Sequence, residues 1–393
     1  MASHDGHSIW VNSIALQITD ITRDTPDPEG GRILRDEAGN PTGVLQENAA
    51  EAIWAALPEV SAKQTRTDLK NACRLANSLG IVAVHHCETG ESMQPLIDLH
   101  DTGELTLRVS RYVSASELET LATEKISAGA GDEWLRIAGV KAFLDGALGG
   151  QTAAMFEPYQ GTDNSGVLTM SPDELIQLIQ HATQMQLAVA LHAIGDRAVH
   201  EALNAFAEVK HTWSGPWPRH RIEHAQHIQP ADIPRFAQLD IIASMQPVHM
   251  LADIATCERT LGRRSEDAFP LQALLGSGAE MALGSDTPVE IIEPLVGMKA
   301  ALLRQDHTGW PPAGWYPQQR LTPQQALYGY TLGGARAAGE DHYRGSLEAT
   351  KLADFVVFSH NLLTIKPELL NTIETIATVV AGNPVWDSRK IFS

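Results

Sequence analysis

Four polar residues, Lys141, His192, His224 and Asp286, each follow an apolar run of the kind that forms a buried β-strand. Lys141 follows LRIAGV, His192 follows QLAVAL, His224 closes RHRIEH, and Asp286 ends EMALGSD. Neutral imidazoles suit zinc and similar divalent ions, and catalytic zinc commonly keeps three protein ligands and an open position for water. A carboxylate beside that water can bind the metal and take the proton. A buried Lys141 ammonium next to cations is disfavoured; once deprotonated, the amine can add CO2 and become a carboxylate able to bridge two metals. Each residue alone has a plainer role. A strand-end histidine is more often a hydrogen-bonded structural group, Asp286 in GSDTP fits a turn or helix cap ahead of Pro288, and Lys141 can pair with Asp145. Four such residues at the ends of several strands shift the balance towards a metallohydrolase.

Residues so far apart in sequence meet only if the fold gathers the strand ends. A parallel α/β barrel does this, because its strand C-termini converge on one mouth. From about residue 61 to 360 the chain alternates helix-like and strand-like segments, the pattern of β/α units, and strands buried on both faces read as continuous apolar runs. GIVAVHHC, LTLRVSRYV, LRIAGVKAFLD, LAVALHAIG, RHRIEHAQ, IIASMQPVH and EMALGSD read as the strands. SPDELIQLIQHATQMQ reads as a helix opened by a capping box of Ser171 and Glu174. Beyond Asp286, TPQQALYGYTLGGARAAG reads as two helical stretches, and the tail from RGSLEATKLADFVVFSHN onward as short strands. Residues 1–60 read as turns, with TGVLQENAAEAIWAALP beginning a helix.

The 393 residues, 43% of them hydrophobic and 20% charged, suffice for one large domain with a small appendage. A net charge of -19 argues against nucleic acid or anionic membrane as a partner. Three cysteines are too few and too scattered for a disulfide framework, which points to a reducing compartment and a cytoplasmic location. No segment approaches the roughly 18 uninterrupted apolar residues of a membrane span.

The segments GVKAFLDGALGGQTAAMFEPY, LHAIGDRAVHEAL, HRIEHAQ, LGSDTPV and GSLEATKLADFVVF, with DGHSIWVNSIAL and GRILRDEAGNPTGVLQENA near the start, resemble the amidohydrolase superfamily and its YtcJ-like branch. The resemblance implies a (β/α)8 barrel, a small β-sandwich built from both chain ends, and a site of one or two divalent metals, zinc by expectation. It implies that Lys141 is a carbamylated bridging ligand, that His192 and His224 hold the second metal, and that Asp286 binds the first metal and acts as base. His7, Trp10 and Asn12 are expected on a loop that touches substrate, and Arg197 in GDRA either orients a polar substrate group or forms a helix-start salt bridge.

The family's first strand carries a His-x-His pair, and no such pair occurs in this sequence. The expected fold class is therefore α/β, a TIM-like barrel over residues 1–340 lacking strand one and most of strand two, followed by the C-terminal part of the sandwich over 341–393. An N-terminally incomplete gene product is the expected origin of the gap. HDGH at 4–7 and VHHCE at 84–88 are the clusters that could substitute as ligands. A structural role is preferred for both, since His4 is close to the chain terminus and only one of His85 and His86 can face the barrel mouth.

The expected function is hydrolysis of a non-peptide C–N bond, amide or formamide-like, by metal-activated water. The alternatives are a catalytically inactive or regulatory ligand-binding remnant of the same fold, and a deaminase of nucleobase-like rings. The expected partner is a small-molecule substrate, with a homodimer left open.

Overall fold

The computed structural model of the chain describes residues 1, 8–28, 30–58, 60–87, 93–212 and 219–392. It divides into two compact units, Met1–Ser61 and Ala62–Ser393.

The first unit is a three-stranded antiparallel sheet of β1 (Ser8–Trp10), β2 (Gly31–Arg35) and β3 (Pro41–Glu47), in the order β1-β3-β2, with helices α1 (Ser13–Ile18) and α2 (Glu51–Ala55). Ile9, Leu45 and Ile33 lie in register across the three strands and form its core with Ile21 and Ile53. Residues 42–47 were expected to begin a helix; they are strand, because Gly43 and Leu45 alternate inward with period two. Gly43 has φ +90, and a Cβ there would sit 2.2 Å from the Val11 carbonyl oxygen, so no side chain fits. The helix starts only at Glu51.

The second unit opens with α3 (Ala62–Ser78) and is built on seven parallel strands: β4 (Ala83–His86), β5 (Arg108–Ser114), β6 (Leu135–Phe143), β7 (Ala188–Ala193), β8 (Arg221–His224), β9 (Ile242–Met245) and β10 (Met281–Leu283). Every strand pairs with its neighbour in sequence, and among the described residues β4 and β10 do not pair with each other. The sheet is an incomplete barrel of the expected class. Helices α4 (Met93–Asp101), α5 (Leu118–Glu124), α6 (Pro172–Gln184), α7 (Asp196–Val209), α8 (Ile233–Leu239), α9 (Met250–Leu261) and α10 (Leu271–Gly276) fall between the strands. The expected capping box opens α6: Ser171 Oγ accepts from Glu174 N, and Glu174 Oε2 accepts from Ser171 N at 2.8 Å.

Val140, Leu191, Ile222 and Ala243 from four strands share one apolar core with Leu175, Ile179, Leu203, Phe206 and Phe236 from α6, α7 and α8. Polar groups fill another face of the sheet. Glu340 lies 2.6 Å from Arg136 Nε, pairs with Arg344, and accepts from Ser110 Oγ at 3.2 Å. The Arg221 guanidinium sits 3.9 Å over the Tyr112 ring and beside Glu223.

After β10 come α11 (Pro294–Leu303), α12 (Pro323–Tyr328) and α13 (Gly334–Ala337), the last two joined by a π-turn over Gly329–Gly333. The chain ends in an antiparallel sheet of β11 (Phe355–Phe358), β12 (Thr375–Val380) and β13 (Asn383–Asp387). Arg108 at the start of β5 grips Asp354, just before β11, through two hydrogen bonds of 2.6 and 3.0 Å. Among the described residues no helix is long and apolar enough to cross a membrane.

Candidate metal centre

Strand register decides which residues share the rim. Phe143 at the end of β6 lies opposite His192 on β7, and Ala193 opposite His224 on β8. The His192 and His224 rings are consequently 4.5 Å apart, edge to face. Lys141 stands two residues before Phe143 on the same side of β6, with its Nζ 3.6 Å from the Phe143 ring centre. The Phe143 ring lies 5.1 Å from that of His192 and is 52% exposed, so it forms an apolar surface at the mouth.

Two rim residues have left-handed backbone: His224 at φ +69 and Asp286 at φ +61. Such conformations cost non-glycine residues on the order of 1 kcal/mol or more and concentrate at functional sites. Asp286 lies three residues beyond β10, and its Oδ2 is 3.7 Å from Nε2 of His249. The His249 ring stacks 5.6 Å from that of His224. One ligand atom from each of His224, His249 and Asp286 lies within 4.8 Å of the other two.

The electrostatics favour neutral donors. Burial pushes His224 well below the ordinary imidazole range, and the positive charges available to His192, His249 and Lys141 push it further. Its Nδ1 is buried and has no hydrogen-bond partner. An imidazole kept unprotonated with a buried nitrogen unsatisfied fits a divalent cation. His192 donates from Nε2 to the Gly146 carbonyl at 3.2 Å, which leaves the lone pair on Nδ1. Burial also lowers the Lys141 amine from its usual value, opposed by Cys87, Glu223 and Asp286.

Lys141, His192, His224 and Asp286 thus gather at the end of the sheet that the sequence indicated. No ion pair joins Lys141 to Asp145 among the described residues; the Asp145 carboxylate instead accepts from the backbone N–H groups of Ala154, Ile194 and Gly195. His85 is turned to the polar face, where its Nδ1 accepts from Arg221 at 2.6 Å. His86 follows it on β4 and is turned the other way, and Cys87 is exposed. Arg197 is exposed on the first turn of α7 and makes no ion pair among the described residues. Trp10 and Asn12 belong to the first unit: Trp10 is exposed, and Asn12 Oδ1 caps α1 by accepting from Ala15 N at 3.0 Å. His4, His7 and Glu88 lie outside the described residues.

His249 is the rim residue that sequence reasoning did not single out. The signal was present, since IIASMQPVH was read as a strand ending in a polar group, but the strand stops at Met245 and a turn over Pro247–His249 carries the imidazole to the mouth.

A parallel β/α barrel whose rim collects an amine, three imidazoles and a carboxylate defines a barrel protein with a candidate metal centre. The chain belongs to the amidohydrolase family, whose model matches residues 1–386. It is 37% identical over 376 residues to the protein LONG AFTER FAR-RED 3 of Arabidopsis thaliana, covering 91% of this chain and 64% of that protein. It is 32% identical to YtcJ of Bacillus subtilis, covering 97% of this chain and 72% of YtcJ. It is 26% identical to the N-substituted formamide deformylase of Arthrobacter pascens, covering 96% and 71%. Among solved structures, an uncharacterized metal-dependent hydrolase from Pyrococcus horikoshii superposes with a TM-score of 0.77 at 27% identity, over 92% of this chain and 71% of that one.

Proposed function

We propose that the protein is a metal-dependent hydrolase of a non-peptide C–N bond, with an N-substituted formamide or related amide as substrate. The observation that carries this reading is the meeting of His192 and His224, 4.5 Å apart, at the rim that also holds Lys141 and Asp286. The deformylase and the Pyrococcus metal-dependent hydrolase are relatives whose names agree with it.

Lys141, His192, His224 and Asp286 would hold one or two divalent ions, with zinc favoured by the imidazole and carboxylate donors and Lys141 joining as a carbamate. A cation held there supplies Lewis acidity to a carbonyl and lowers the pKa of water. The chain's own groups do the rest. Asp286, with 41% of its side chain exposed, reaches solvent and can take a proton from the attacking water and return it to the leaving nitrogen. Phe143 offers a flat apolar surface for the substituent on that nitrogen. Asp145 holds the β7 loop and thereby His192.

The test is incubation of the purified chain with a panel of N-substituted formamides, other acyl amides and aminated heterocycles, reading formate, amine and ammonia. Formate with amine, dependent on added zinc, supports the reading. Ammonia from the rings alone would point to a deaminase, and metal uptake with no turnover of any class would leave a binding protein.

A further inference from the structure

We propose that His249 is a metal ligand, and that His224, His249 and Asp286 form a three-donor site for a single divalent ion of zinc type. This rests on the reading that the rim binds a divalent cation, and it adds His249 to the donors named there.

The three donors already lie within 4.8 Å of one another. Tetrahedral zinc with ligand bonds of about 2.1 Å spaces its donors about 3.4 Å apart, and His249 Nε2 is 3.7 Å from Asp286 Oδ2. That pair is within a few tenths of an ångström of the tetrahedral spacing. His224 contributes the second, independent observation: it is buried, and its Nδ1 makes no hydrogen bond. Local backbone structure sets the placement of His249. Pro247, two residues beyond the end of β9, restricts the backbone, His249 N donates to Gln246 O at 3.1 Å, and α9 follows without a linking residue. The neighbouring acid on the first turn of α9, Asp253, accepts from Gln226 Nε2 at 2.8 Å. Three protein ligands leave the fourth position of a tetrahedral ion for water or substrate. Such a site needs no His-x-His pair.

The experiment is titration of the metal-stripped full chain with zinc by calorimetry and with cobalt by visible absorption, for the wild type and for His249→Gln, His249→Cys and the control Glu374→Gln. The expected result is one ion per wild-type chain and a loss of affinity on the order of 100-fold or more in His249→Gln, since even partners outside the ligand set are worth 10–100-fold. Glu374→Gln, at the exposed pair with Arg389, should bind as the wild type does. His249→Cys should recover binding and add a near-ultraviolet thiolate-to-cobalt band that the wild type lacks. Circular dichroism of the metal-free variants separates a lost ligand from a lost fold. Wild-type uptake left unchanged by His249→Gln, or a folded His249→Cys that binds cobalt without the thiolate band, overturns this assignment alone. A wild-type chain that takes up neither ion overturns the metal reading as well.

Discussion

Asp145 Oδ1 lies 3.6 Å from His192 Nε2 while the same carboxylate accepts three backbone N–H groups, from Ala154, Ile194 and Gly195. One buried acid therefore joins the end of β6 to the end of β7 and stands behind a rim imidazole. Asp145→Asn keeps the shape but turns an amide N–H2 towards backbone donors. It should destabilise the fold by about 1–3 kcal/mol. Urea unfolding checks this, and an unchanged midpoint would show that Asp145 does not anchor the loop.

The Glu340 carboxylate is 2% exposed and holds two buried guanidiniums, those of Arg136 and Arg344. Removing one partner of a buried ion pair costs about 3–5 kcal/mol because the remaining charge is stranded. Glu340→Gln is expected to lose stability in that range. Glu374→Gln, at an exposed pair with Arg389, should lose less than about 1 kcal/mol. Equal shifts in the urea midpoint would contradict the distinction.

Stability should fall on mild acidification. His220 is buried, accepts from Val189 N through Nδ1 at 3.0 Å, and is held down at about 3 by burial. An unfolded histidine titrates near about 6.5, so between the two values the unfolded chain binds the extra proton and stability rises with pH. The contribution is complete above the unfolded value and is lost as pH drops towards the folded one. At about pH 5 the loss from His220 is about 2 kcal/mol. His220→Asn, which keeps an acceptor for Val189 and cannot titrate, should show a correspondingly flatter dependence of urea midpoint on pH.

Asp286→Asn should leave the circular dichroism spectrum unchanged, since the side chain is 41% exposed. Loss of a proton acceptor at the reacting water should lower kcat by about 10²–10⁴-fold on whichever amide is turned over. A variant with wild-type kcat would remove Asp286 from the chemistry.

Much of this was legible in the sequence because parallel strands buried on both faces must be apolar throughout. AVALHA and LRIAGVKAF are β7 and β6, and His192 and Lys141 near their ends stand at the rim. Two features were hidden, each for a physical reason. Pro41–Glu47 carries Gly, Thr and Gln among its apolar residues next to an alanine-rich stretch, so helix propensity outweighed a weak period-two signal that only pairing with β1 and β2 makes decisive. His249 follows a turn rather than a strand, and nothing local reports that the turn bends back towards His224 and Asp286.

The brevity of β10 has a consequence for the order in which the molecule comes together. Its three residues, Met281–Leu283, pair only with β9 among the described residues, yet they lead directly to Asp286. A cation gripped by donors at or beyond the ends of β8, β9 and β10 would act as a clasp on that edge of the sheet. Amide protons of β10 should then exchange fastest of all the strands in stripped protein and slow most when the ion is restored, tying metal supply to the closure of that margin.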